Sequence, residues 1–142
     1  MADLAFLFCF SMSKPLIFAV PDDPELKKWR PDLVDTIDKS IWLNPKYTPI
    51  GDKTHTDFEA CFSVNEVAGP VERPYQIHYE AYLKDGTKVE GTATGFMARV
   101  IQHETDHLNG KLFIDYVPEG KLMTQQQYRE MREKALQEKD NA

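Results

Sequence analysis

The chain of 142 residues is short of cysteine, short of positive charge and, over its first fifty positions, devoid of glycine. Two cysteines, Cys9 and Cys61, cannot build a disulfide framework, so a buried core has to hold the fold and a reducing compartment is the default. Lys and Arg number 17 against 23 Asp and Glu, a net charge of −6, which leaves no basic face to neutralise a run of phosphates. General nucleic-acid binding, DNA above all, is excluded on that ground, while a site for a peptide or a ribosomal neighbour is not. The longest apolar run, LAFLFCF at 4–10, is too short to span a bilayer, and no Lys or Arg precedes Lys14. Neither a membrane helix nor a signal peptide is expected, and a transit peptide would be richer in arginine.

What is present is ordinary globular material: 42% apolar residues, with eight Phe and six Tyr to supply core volume. One domain over 1–142 is expected, with an atypical segment at 1–13. KPLIFAV (14–20) reads as a buried strand, and 21–38, punctuated by Pro21, Pro24 and Pro31, as a surface excursion with one short helical turn. SIWLNPKYTPIG (40–51) reads as a strand stopped by its prolines, and DFEACFSV (57–64) as another. Tyr75, Ile77, Tyr79, Ala81 and Leu83 alternate with mostly polar neighbours, the pattern of a half-buried strand. Asp85-Gly86 predicts a tight hairpin turn with both residues at positive φ, followed by a return strand over 87–94.

From Gly95 the period becomes helical. Phe96, Val100, His103 and His107 form one stripe, widened by Met97, Ile101 and Leu108 into a core-facing surface, and Asn109-Gly110 should end the helix. KLFIDYV (111–117) is a short apolar segment. Thr124 with Gln127 forms a capping box for a last helix to about 138, whose seam is Tyr128, Met131 and Ala135. The fold class expected is α+β: small antiparallel sheets around a central helix, with a C-terminal helix outside.

The chemistry concentrates in VIQHETDHLNG (100–110). Helical spacing puts His103 and His107 on one face with Glu104 beside them, an arrangement that holds a metal and a base. Such a metal lowers the pKa of water toward neutrality, and a carboxylate then takes the proton and passes it on. Asp106 is placed to accept an imidazole N–H or to pair with an arginine. A bland reading stands beside this one, a pair of core-edge histidines on an amphipathic helix.

The third ligand decides the type of site. A metzincin continuation fails because position 113 is Phe; a thermolysin-like arrangement needs a downstream glutamate, for which Glu119, Glu130 and Glu133 are the candidates, the last two in a polar, solvated helix. Cys61 offers a thiolate, and equally fits as a small buried hydrophobe. His55 in a polar turn and His78 on the polar side of its strand are weaker rivals.

QHETDHLNGKLFIDYV (102–117) resembles the third signature of the peptide deformylases, QHExDHLxGxLFxD, and EACFS (59–63) resembles their second, EGCxS. Arg73 stands where the family has an arginine, twelve residues after the cysteine. The likeness runs from about Lys14 into the final helix, and GFMARVIQHE, together with the acidic excursion, is most similar to the organelle-type branch. This resemblance implies removal of the N-formyl group from nascent chains that begin with formylmethionine. It implies one divalent metal on Cys61, His103 and His107, ferrous iron with zinc, nickel or cobalt as substitutes, and Glu104 as general acid and base. It further implies an oxyanion donor at the Phe62 N–H, a substrate pocket at Ala60, Phe96 and Val100, and a supporting network of Glu59, Arg73 and Asp106. Partners would be formylated nascent peptides, at or near the ribosome, acted on by a monomer or dimer in a bacterial cytoplasm or an organelle matrix.

The chain departs from the family before residue 14. The first signature, GxGLAAxQ, is absent; LAFLFCFSM occupies that ground and Cys9 stands about where the glutamine would. Ala60 also replaces the second signature's glycine. Losing one oxyanion donor costs about a hundred- to a thousandfold in rate. Two other readings therefore accompany the first: a metallopeptidase with a glutamate as third ligand and Cys61 inert, and an impaired homologue that binds metal or formyl-peptide without turnover.

Overall fold

The computed structural model describes residues 5–6, 15–61 and 64–142, with the backbone alone at 5, 6, 64 and 65. Cys9, the rest of the atypical start apart from residues 5 and 6, and Phe62 lie outside the described residues. Contacts divide the chain into two compact units, residues 1–55 with 73–111, and residues 56–72 with 112–142.

In the first unit a five-stranded antiparallel sheet has the order β1-β2-β3-β6-β7, formed by β1 (Ala5–Phe6), β2 (Pro15–Val20), β3 (Ile37–Pro49), β6 (Gln76–Tyr82) and β7 (Lys88–Thr94). Alternation explains β2: Leu16, Phe18 and Val20 are buried, and the residues between them are half-buried. The expected excursion contains α1 (Pro24–Trp29), capped where the Asp23 carboxylate accepts the Glu25 N–H at 2.9 Å.

β3 begins three residues earlier than its apolar pattern suggested and runs through Pro45. The register against β6 shifts between Leu43 and Lys46, and Asn44 takes φ +49°. A proline without an N–H is tolerated at such an irregularity, where the ladder is already broken. The β6–β7 hairpin keeps its register from Gln76↔Thr94 to Tyr82↔Lys88, but its turn is longer than expected. Gly86 alone adopts positive φ (+86°), its N–H donates to the Leu83 carbonyl, and the Leu83 N–H donates to Thr87, so the loop is of the longer type rather than the two-residue one.

The core is built where this sheet receives α2 (Gly95–Leu108). Leu16, Phe18, Val20, Trp42, Ile77, Ala81 and Ala93 from the strands meet Met97, Ala98 and Ile101 from the helix. Trp42 anchors it, edge-on to Phe18 at 4.7 Å and stacked on Tyr79 at 4.8 Å. Gly95 starts α2 at φ +64°, its N–H on the Tyr75 carbonyl, and a Cβ there would collide with the Asp32 carbonyl oxygen. Asn109 caps the other end and Gly110 follows at φ +78°, as the Asn-Gly pair indicated.

The second unit carries a sheet of order β4-β5-β8, from β4 (Thr54–Cys61), β5 (Val64–Pro74) and β8 (Met123–Thr124). β5 was not legible as a strand, since VNEVAGPVERP has neither alternation nor an apolar run. A 3-10 turn over Phe113–Tyr116 buries Phe113, and α3 (Gln125–Asp140) starts at the expected Thr124–Gln127 capping box. Its packing face differs from the expected seam. Tyr128 is buried and stacks on Phe58 at 5.1 Å, Arg132 reaches Asp57 at 3.8 Å, and Met131 and Ala135 are exposed. The aromatic ring sets the angle of the helix, and an i, i+4, i+8 line through Tyr128, Arg132 and Leu136 follows. The architecture is α+β, with the antiparallel sheets and the C-terminal helix that the sequence led us to expect.

Candidate metal centre

Helix α2 is buried nearly all round, and its three faces do different work. Met97, Ala98 and Ile101 fill the core. Arg99, Gln102 and Asp106 form a buried polar line. The remaining face carries Phe96, Val100, His103 and His107, and it is less buried than expected: only His103, 8% exposed, falls among the buried residues. The physical reason is that Ala98 and Ile101, about a third of a turn or more away, take the core position, which leaves the histidine stripe at the core's edge.

On that stripe the two imidazoles converge. Their ring centroids are 4.6 Å apart and the two Nε2 atoms 3.1 Å apart. Two lone pairs that close repel unless a proton or a cation lies between them. Two nitrogens bound to one ion at about 2.0–2.1 Å in tetrahedral geometry are about 3.3 Å apart, so this pair fits a shared metal. Glu104, one residue along, is 5% exposed and brings a carboxylate into the same buried stretch.

The polar line holds the helix from the neighbouring face. The Gln102 side chain donates to the Pro74 carbonyl at 3.0 Å, and Arg99 donates to the His55 carbonyl at 2.8 Å. Arg73 Nη1 donates to Asp106 Oδ2 at 2.9 Å, both side chains being almost wholly buried, and the Tyr47 hydroxyl donates to Asp106 Oδ1 at 2.8 Å. Asp106 thus takes the arginine partner that its position suggested, and both its oxygens are engaged.

The other expected residues divide between the units. Cys61 ends β4 half-buried, preceded by half-buried Ala60 and buried Glu59, all in the second unit. Phe96 and Val100 are half-buried beside the first unit's core. His78 lies 3.7 Å from Glu80 and from Glu90 on the outer surface of β6 and β7. Lys88 sits against the same two carboxylates at 3.7 and 3.5 Å, so the negative charge there already has a cation and the cluster reads as a solvated, ion-paired face. His55 is 3.9 Å from the Asp32 carboxylate. Tyr47 escaped sequence reasoning altogether, because its partner lies 59 residues further along the chain and nothing local marks it. Gln102 and Arg99 were visible as motif letters, without a role.

Comparison with known proteins places the chain in a family. The family model for polypeptide deformylases matches residues 13–123. The chain is 57% identical over 125 residues to peptide deformylase 2 of Rickettsia conorii, covering 88% of this chain and 62% of that protein. It is 39% identical over 110 residues to a peptide deformylase of Acinetobacter baumannii, covering 77% and 61% respectively. Among solved structures, a Met-Ala-Ser-bound class I type b peptide deformylase from Acinetobacter baumannii aligns with a TM-score of 0.62 at 29% identity, over 72% of this chain and 62% of that one. Peptide deformylase from Thermotoga maritima aligns with a TM-score of 0.54 at 36% identity, over 57% and 55%. The chain spans somewhat less than two thirds of the length of these relatives.

Proposed function

Because this chain belongs to the polypeptide deformylase family, we propose that it removes the formyl group from formylmethionine at the start of nascent polypeptides. The observation that carries this reading is the convergence of His103 and His107, Nε2 to Nε2 at 3.1 Å, on a buried helix that also bears Glu104. Cys61 completes the ligand set in this reading, by its place in EACFS. The ion is ferrous iron, with zinc, nickel or cobalt as substitutes, and when bound it supplies Lewis acidity toward water and the formyl carbonyl.

The chain's own residues then divide the work. Glu104 takes a proton from the attacking water as the oxygen joins the formyl carbon. It returns that proton to the amide nitrogen as the carbon–nitrogen bond breaks, releasing formate and a free α-amino group. Burial suits this role, since a carboxylate out of bulk water exchanges its proton with the substrate rather than with solvent. The backbone N–H of Phe62 donates to the developing oxyanion, and the substrate backbone runs close by Ala60. Phe96 and Val100 offer apolar surface to the methionine side chain. Glu59, Arg73 and Asp106 hold the ligand-bearing elements in place. Formylated nascent peptides at or near the ribosome are the partners, and a bacterial cytoplasm or an organelle matrix is the compartment. Among the described residues no helix is long and apolar enough to cross a membrane.

The test is release of formate from a formyl-Met tripeptide by the whole chain, purified anaerobically with ferrous iron. Turnover should vanish in Glu104→Gln with metal retained, and in Cys61→Ala with metal lost. Stoichiometric metal without formate points instead to a homologue that binds but does not turn over, the reading favoured by Cys9 standing where the family glutamine would be. Undiminished metal in Cys61→Ser would favour the peptidase reading, in which a glutamate is the third ligand.

A further inference from the structure

Arg99, Gln102 and Asp106 recur at i, i+3 and i+7 along α2, and the residues next to them, Val100, His103 and His107, recur at the same spacing. The two lines are neighbouring faces of one rigid helix, so what pins the first sets the angle of the second. Of the three pins, the Asp106 carboxylate stands beside His107 in sequence and is gripped on both oxygens. Arg73 holds Oδ2 and the Tyr47 hydroxyl holds Oδ1. One donor alone would leave the carboxylate free to turn about its broad terminal torsion, whereas two donors from different strands fix its plane. Tyr47 stands on β3 just past the irregularity at Asn44–Lys46, where a strand changes the aim of its side chains.

We infer that Tyr47 is a positioning residue for the histidine pair, acting through Asp106 and the rotation of α2. Its hydroxyl donates to Asp106, not to an imidazole. Its hydroxyl keeps Asp106, and with it the helix, at the angle that brings the two Nε2 atoms to 3.1 Å. A functional site of this kind tolerates about 0.5 Å or 10–20° of error, which is the scale of motion that releasing one end of a carboxylate permits. The inference leans on the proposed function for what the pair holds, and stands apart from it for how the pair is held.

Tyr47→Phe removes the hydroxyl and keeps the ring. Tyr79→Phe, at the cross-strand partner of Tyr47, is the control for any general effect on the sheet. In the metal-free chain, ring-to-ring nuclear Overhauser contacts between His103 and His107 report the pair directly. Cobalt(II), bound in competition with a chelator, reports affinity and a visible ligand-field spectrum. Tyr47→Phe should weaken the ring contacts, weaken cobalt binding about 10- to 100-fold and alter the spectrum, while Tyr79→Phe matches the parent in all three. A Tyr47→Phe chain with the parent's ring contacts and cobalt affinity overturns the inference, whatever its melting temperature. If the parent binds no cobalt, the metal reading fails by itself, and the ring contacts alone then decide for or against Tyr47.

Discussion

At the scale of the residue, the consequential feature is a buried charge pair with an added donor. Arg73 and Asp106 are 4% and 5% exposed in their side chains, so neither can fall back on water when the other is removed. Asp106→Asn should therefore cost about 3–5 kcal/mol, read as a lower urea midpoint at unchanged slope, because it removes a buried counter-charge from the guanidinium. Replacing both partners with apolar residues of similar volume should cost less than that single change, and a double-mutant cycle measures the difference. Surface charges behave otherwise. The carboxylates of Glu80 and Glu90 raise the pKa of Lys88, and this side chain is exposed. A raised pKa means stabilisation that is complete below the ordinary lysine value and lost as pH climbs through the raised one. Lys88→Met should accordingly flatten the alkaline limb of the stability profile, and the contrast should shrink in high salt.

At the scale of the element, glycines and caps set where each helix begins. Gly95 combines positive φ with the Asp32 carbonyl oxygen where a Cβ would stand, so Gly95→Ala has to move backbone rather than a flexible side chain. We expect a loss of at least about 1–2 kcal/mol, with the histidine face displaced along with the helix start, measured by chemical denaturation. Thr124→Ala removes the side chain that accepts the Gln127 N–H at 3.0 Å. It should cost about 1 kcal/mol and speed amide exchange in the first turn of α3 while leaving α2 unchanged.

At the scale of the whole molecule, the proposed metal couples site to stability. An ion that binds the folded chain and not the unfolded one stabilises it by about 2.7 kcal/mol at a hundred times its dissociation constant. For 142 residues that is an upward shift of roughly 9 °C in melting temperature, abolished by chelation and absent in His103→Ala. A chain whose melting temperature ignores added zinc or cobalt would contradict the metal reading without any activity measurement.

Local physics made much of this molecule readable in one dimension. An apolar run located β2, alternation located β6, the helical period with its Asn-Gly stop bounded α2, and the Thr124–Gln127 box began α3, because each of these signals is satisfied by neighbours within a few residues. The same locality made the two histidines legible, since helical spacing alone puts them on one face. Long-range pairing decided the rest. β5 is a strand because other strands complete its ladder, β3 passes Pro45 because its partner allows a break in register, and α3 turns toward Phe58 rather than along its apolar seam. Which face of α2 meets the core, and that Tyr47 closes on Asp106, depend on side chains 59 residues apart becoming neighbours. A sequence specifies such contacts only through the energy of the assembled fold, and only the tertiary structure displays them.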